Sequence, residues 1–138
     1  MNDDQALARV AAARVARMAT VDRLGNPHVV PVVFALHART LYWAVDSKPK
    51  RSQAVRRLDN LRANPVVQVV VDGYDENWTE LWWVRLTGRG HVLEPGGERE
   101  RAMVLLAGKY EQYRADPPVG PVVAIDVEAI STWEAAPR

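Results

Sequence analysis

The segment Asp46-Ser47-Lys48-Pro49-Lys50-Arg51, followed closely by Arg56-Arg57, holds the residues of this sequence best suited to chemistry, and that chemistry is anion binding. The spacing of Val55, Leu58 and Leu61 predicts a short helix from about Ser52 to Arg62, closed by Asn64-Pro65. A helix N-terminus is the positive end of its dipole. Lys48, Lys50 and Arg51 placed there cost roughly 0.3 to 1 kcal/mol each unless an anion is present. With one, free backbone N–H groups, the hydroxyls of Ser47 or Ser52, lysine point charges and forked arginines form a cradle for a phosphate or an oligo-carboxylate. The same residues also suit a solvated charged face. Residues 46 to 62 carry six cations against Asp46 and Asp59, a balance of +4 that leaves −3 on the rest of a chain whose net charge is +1. Positive charge is therefore local. The patch lacks the interleaved aromatics of single-strand binders, so nucleic acid is not the expected partner.

Other chemistry-bearing patterns are incomplete. Gly88-Arg89-Gly90 starts a dinucleotide fingerprint, but Leu93 stands at its third glycine position, and a bulged strand is the better reading. His28, His37 and His91 are too far apart for a helical metal pair and have no cysteine partners, so no metal site is expected. Gly108-Lys109 lacks the glycine-rich lead of a phosphate loop. No acid–base pair or nucleophile stands out, and no catalytic residue is assigned. Five tryptophans, Trp43, Trp78, Trp82, Trp83 and Trp133, exceed what one small core needs. Trp82 and Trp83 are neighbours on a strand and must face opposite ways, which places one against a ligand or a second subunit. Trp78 follows a polar loop from which it could cover a flat ring.

The elements that must position these residues are mostly strands. A first helix capped by Asp3 or Asp4 carries Leu7, Val10, Ala11, Val15 and Met18 on one face. Ala19 to Asp22, a Leu24-Gly25-Asn26 turn and Pro27 to Leu36 make a hairpin, and Leu41 to Val45 is the third strand. Val66 to Val71 is almost continuously apolar, so both of its faces are expected to be covered. Leu81 to Leu93 is a long strand bent at Gly88 and Gly90. A helix from about Glu98 to Tyr113 and a last strand from Val122 to Ile130 complete the chain. Six strands with short turns favour a small antiparallel barrel with flanking helices over a parallel sheet.

With 138 residues, 48% of them apolar and 25% charged, the chain has the composition of one folded domain spanning residues 1–138. The absence of cysteine excludes disulfide scaffolds, thiolate zinc and cysteine nucleophiles, so redox chemistry requires a cofactor. No signal peptide or membrane span is evident, which makes the cytoplasm the expected location.

The order strand, Gly-Asn turn, Pro-His-Val-Val-Pro-Val-Val-Phe, Leu-Tyr-Trp-Ala-Val-Asp, basic loop, Arg-Arg-Leu-Asp-Asn-Leu-Arg-Ala-Asn-Pro and valine strand resembles the pyridoxamine-phosphate-oxidase-like split-barrel class over most of the chain. The basic loop from Lys48 to Arg51, the run Trp78-Thr79-Glu80-Leu81-Trp82-Trp83-Val84-Arg85 and Gly88-Arg89-Gly90 are similar to the actinobacterial subgroup associated with coenzyme F420. The resemblance implies a six-stranded split β-barrel and a homodimer with the cofactor at the subunit interface. It implies a deazaflavin ring against the strand around Pro31 and Val32, Trp78 as a further contact, and an acidic tail held by Ser47, Lys48, Lys50, Arg51, Arg56 and Arg57. The implied activity is hydride transfer to a small, hydrophobic substrate. FMN is the alternative cofactor, although Val55 stands where FMN-binding members tend to show serine. A cofactor-binding protein without turnover is the competing class.

Overall fold

The computed structural model describes residues 1–45 and 51–136, the side chains of residues 51–55 excepted. Helix α1 (Asp3–Ala12) is capped by Asn2, not by Asp3 or Asp4. The Asn2 side chain accepts from the Gln5 N–H at 2.9 Å, and the Gln5 side chain accepts from the Asn2 N–H at 2.8 Å. The two aspartates lie in the first turn, where their charge complements the helix dipole. The helix stops at Ala12, so Val15 and Met18 leave its face; Ala16, Met18 and Thr20 instead alternate inward along β1 (Ala16–Val21).

β1 pairs with β2 (Pro27–Val32) across a turn held by Asp22, whose Oδ1 accepts from the Leu24 and Asn26 N–H groups at 2.9 Å each. The Asn26 N–H bond leads in holding that carboxyl below its ordinary range. Gly25 supplies the left-handed residue at φ 83°.

The expected long second strand is two strands. After Val32 the ladder breaks, because the Phe34 N–H donates to the Tyr110 hydroxyl oxygen (3.1 Å) and the Phe34 carbonyl faces the same hydroxyl at 3.0 Å. Backbone groups that would extend the ladder are satisfied by a side chain, and the chain resumes as β3 (Ala35–His37), paired with β4 (Thr40–Ala44). This makes seven strands among the described residues instead of six. The β3–β4 turn holds Ala38 at φ 52°, a left-handed conformation costly for a residue with a Cβ. Ala38→Gly is expected to raise stability by up to about 1 kcal/mol, seen as a higher melting temperature.

Helix α2 (Arg51–Ala63) follows, then β5 (Val66–Gly73), a 3-10 turn at Trp78–Glu80, β6 (Trp82–Val92), α3 (Gly97–Lys109), α4 (Glu111–Ala115) and β7 (Val122–Glu134). The single helix expected from Glu98 to Tyr113 is broken at Tyr110, whose backbone is extended (φ −119°, ψ 119°). The last strand runs on to Glu134 and includes Trp133.

All seven strands form one curled antiparallel sheet in the order β2-β1-β5-β6-β7-β4-β3. Its concave face, with α1 and α2, encloses the main core, where Ala6, Val10, Leu58 and Leu61 meet Met18, Val67, Leu86 and Ile125. α3 packs on the other side of β4 and β7, where Ala102 meets Tyr42, Val122 and Ala124. The Tyr42 hydroxyl donates to Glu98 at 2.9 Å; burial first, and then that carboxylate, push its pKa up to about 12. β5 alternates, with Val67, Val69 and Val71 buried, Val66 and Gln68 exposed and Val70 half-buried, so within one chain a single face is fully covered. The expected bend is present as a register shift between Thr87 and Gly88. No helix among the described residues is long and apolar enough to cross a membrane.

Candidate functional site

β2 and β4 end on either side of a cleft of about 310 Å³. Pro31 and Val32 come from the end of β2, Val33 from its exit, Trp43 and Ala44 from the end of β4, and Val15 from the approach to β1. Arg57 enters from α2 and Tyr113 from α4. The Arg57 guanidinium lies over the Trp43 indole, 5.1 Å from the ring centroid. Its Nε is buried without an acceptor among the described residues, and so is the indole Nε1 of Trp43, a side chain only 1% exposed. None of the ion pairs among the described residues involves Arg57. Burial of this guanidinium lowers its pKa. A half-buried cation with no ion pair among the described residues, beside an orphan donor on an apolar floor, is an environment completed by an acceptor-rich, anionic group.

Of the residues expected at a site, Pro31, Val32 and Arg57 share this cleft. Arg56 is exposed. Adjacent helix positions face about 100° apart, so the Arg56-Arg57 pair divides; Arg56 acts on Asp22 in the first turn while Arg57 turns inward. Ser47, Lys48 and Lys50 lie outside the described residues, as does the side chain of Arg51, which opens α2. Trp78 is 68% exposed and lines a different hollow with Glu76, Asn77, Thr79, Ala135 and Ala136. A single chain does not bring it to the cleft.

Trp43 is marked in the sequence only as one of five tryptophans, and Tyr113 is not marked as a site residue. Trp43 sits in an apolar strand with nothing local to mark its neighbour Arg57, and Tyr113 was absorbed in a helix that the structure breaks. The one available signal was the surplus of tryptophan.

Beside the cleft, Tyr113 stacks edge-on against Tyr110 at 5.9 Å. The Tyr110 hydroxyl is 2.8 Å from the Arg14 carbonyl oxygen, and Arg14 lies over the Tyr110 ring at 4.8 Å. The Lys109 ammonium is buried without an acceptor among the described residues, 3.9 Å from the Phe34 ring centroid. Burial, and then the charge of Arg14, lower its pKa from 10.5 to about 8. Because the folded value lies below the unfolded one, folding releases a proton in that window. Stability should rise as pH climbs from about 8 toward 10.5. Lys109→Met should melt higher than the parent at pH 7 and lose most of that rise, as read by thermal denaturation across pH.

A second cleft, of about 500 Å³, lies on the outer sheet face among Arg17, Val70, Asp72, Trp83 and Arg85. Trp82 and Trp83 do face opposite ways. Trp82 packs on the core with Arg9 at 4.9 Å, whereas Trp83 faces out with Arg85 at 5.4 Å and pairs across the ladder with Trp133. The register runs Pro31, Arg17, Val70, Arg85 and Ser131 straight across five strands. Pro31 thus belongs both to the first cleft and to the edge of this face.

Residues 3–134 match the family model for pyridoxamine 5'-phosphate oxidase. The chain belongs to this family. Among solved structures, it is similar to an FAD-binding protein of Mesorhizobium loti, with 23% identity, 99% of this chain and 96% of that one covered, and a TM-score of 0.75. It is also similar to the heme-storage protein HutZ of Vibrio cholerae, at 12% identity, coverage of 96% and 93%, and a TM-score of 0.72. A conserved protein of Mycobacterium tuberculosis gives 19% identity, coverage of 97% and 85%, and a TM-score of 0.78. These likenesses establish the pyridoxamine 5'-phosphate oxidase-like fold. No functionally curated protein matches the sequence.

Proposed function

We propose that this chain is an oxidoreductase holding a phosphate-bearing cofactor of the flavin class, coenzyme F420 in our reading, at the Arg57–Trp43 cleft. The observation that carries the reading is Arg57, a half-buried cation whose buried Nε has no partner among the described residues, in a cleft otherwise lined mainly by apolar side chains. Such a cofactor, when bound, supplies hydride chemistry. The chain's residues bind, orient and exclude water. Arg57 neutralises an anionic group, the Pro31-Val32-Val33 segment and Tyr113 present apolar walls, and Trp43 forms the floor. At about 310 Å³ the cleft is at the small end for ligand pockets, suited to part of a cofactor whose remainder extends outward. In that reading Ser47, Lys48, Lys50, Arg51 and Arg56 hold the acidic tail.

We propose further that the protein works as a homodimer with the cofactor at the interface. Supporting this, the outer sheet face exposes Val29, Trp133 and Val66 and half-buries Val70 and Trp83. Arg17, Arg85 and Asp72 on the same face can pair across a two-fold axis. Pro31 joins that face to the cleft, so a second subunit seated there would complete its wall, with Trp78 of the second copy as a candidate contributor. The substrate in this reading is small and hydrophobic, and the cytoplasm is the place of action.

The FAD-binding neighbour gives specific support to a flavin as the alternative, whereas Val55 in place of the flavin-associated serine favours the deazaflavin. The deciding experiment titrates purified protein with coenzyme F420, FMN and heme, following ligand fluorescence or absorbance. Saturable F420 binding at one site per subunit is expected. Preference for FMN moves the protein to a flavin branch, preference for heme to storage, and binding of none overturns the reading.

A further inference from the structure

Building on the cofactor reading above, we propose that the indole N–H of Trp43 is a hydrogen-bond donor reserved for an acceptor oxygen of the bound ligand, which makes Trp43 a specificity-determining residue of the cleft. Tryptophan nitrogen only donates, and a buried one is almost always paired. Trp43 is 1% exposed, yet its Nε1 has no acceptor among the described residues. The Nε of Arg57 is a second buried donor without an acceptor, and its guanidinium lies over the same indole at 5.1 Å. The two donors belong to neighbouring side chains of one cleft, so a ligand edge rich in oxygen would pair with both.

The side chains that share the cleft explain why an outside acceptor is needed. Val15, Pro31, Val32, Val33 and Ala44 offer no side-chain acceptor, and the hydroxyl of Tyr113, which could accept, bonds to neither orphan nitrogen. Arg57 has donors only, and its cation–π stacking leaves the N–H of the indole unused. A ligand bearing phosphate or ring-carbonyl oxygens pairs with both donors. A purely apolar ligand of the same shape leaves both unpaired and is rejected. In this way the cleft selects its ligand by hydrogen-bond polarity as well as by charge.

The test follows the Trp43 indole N–H resonance by proton–nitrogen NMR, assigned by its loss in Trp43→Phe, a variant that keeps an aromatic ring beneath Arg57. Coenzyme F420, FMN and inorganic phosphate are titrated separately. A downfield shift of that resonance on saturation, with a loss of about tenfold in affinity in Trp43→Phe, supports the proposal. The variant's melting temperature without ligand should fall, because phenylalanine leaves part of the buried indole's volume empty, so affinities are compared at a temperature where both proteins are folded. If F420 or FMN binds while the resonance stays put and Trp43→Phe binds equally well, Trp43 is only a platform; the inference falls and the cofactor reading stands. If neither cofactor binds but phosphate moves the resonance, the inference stands and the cofactor reading falls. If nothing binds or shifts it, both fall.

Discussion

Arg57→Met lowers affinity for the phosphate-bearing cofactor about a hundredfold while raising the melting temperature of the ligand-free protein. The two effects have one cause. In the free protein the half-buried guanidinium has no carboxylate partner among the described residues, so its desolvation is offset only in part by the Trp43 ring and Tyr113, and methionine keeps much of the contact with Trp43 without the charge. In the complex the same guanidinium makes charge-assisted hydrogen bonds, each worth roughly 1.5 to 3 kcal/mol. Arg57→Lys keeps the charge, loses the planar fork and should fall between parent and Arg57→Met in affinity. Fluorescence titration and thermal denaturation of the three proteins check both halves. Unchanged affinity with lowered stability would make Arg57 a structural residue and remove it from the site.

Gly88→Ala is expected to cost about 3 kcal/mol, near the upper end for overpacking, and to lower the melting temperature by roughly 10 °C. A Cβ at this position would overlap the Asp126 carbonyl oxygen and press on Ile125. Both neighbours belong to β7, which is paired with β6 on one side and β4 on the other, so the obstructing backbone has little freedom to retreat. The bulge at Thr87/Gly88 is where β6 bends, and β6 and β7 stand in the middle of the sheet order. Thermal or urea denaturation measures the loss. A variant as stable as the parent would mean that the two strands separate easily at the bulge.

Gly88 was legible as a bend because glycine inside an apolar strand has few other readings. Arg57 was legible as a cation within the short helix after the basic loop, but not as the residue that turns inward. Lys48, Lys50, Arg51, Arg56 and Arg57 look alike in sequence. α2 separates the last two, since consecutive helix positions diverge, and sends Arg57 over Trp43 while Arg56 stays in solvent.

By itself the sequence determined the antiparallel, mainly β architecture, the first hairpin and its Gly25 turn, the short helix after the basic loop, the β6 bend and the opposed facing of Trp82 and Trp83. Each of these is written in local patterns: period two, a turn residue with a specific φ, a helical spacing. Tertiary structure alone decided the rest. The second strand divides at Phe34 because a tyrosine 76 residues away takes its backbone hydrogen bonds, and the same Tyr110 interrupts the expected long helix. Val66 to Val71 reads as buried on both faces, yet one chain covers only one, because apolar content records what a strand can bury and not what is present to cover it. The cleft joins β2, β4, α2 and α4, and the unpaired donors of Trp43 and Arg57 arise only when those four segments meet. Such a juxtaposition leaves no periodic trace in sequence, since the contacts that create it are all long-range.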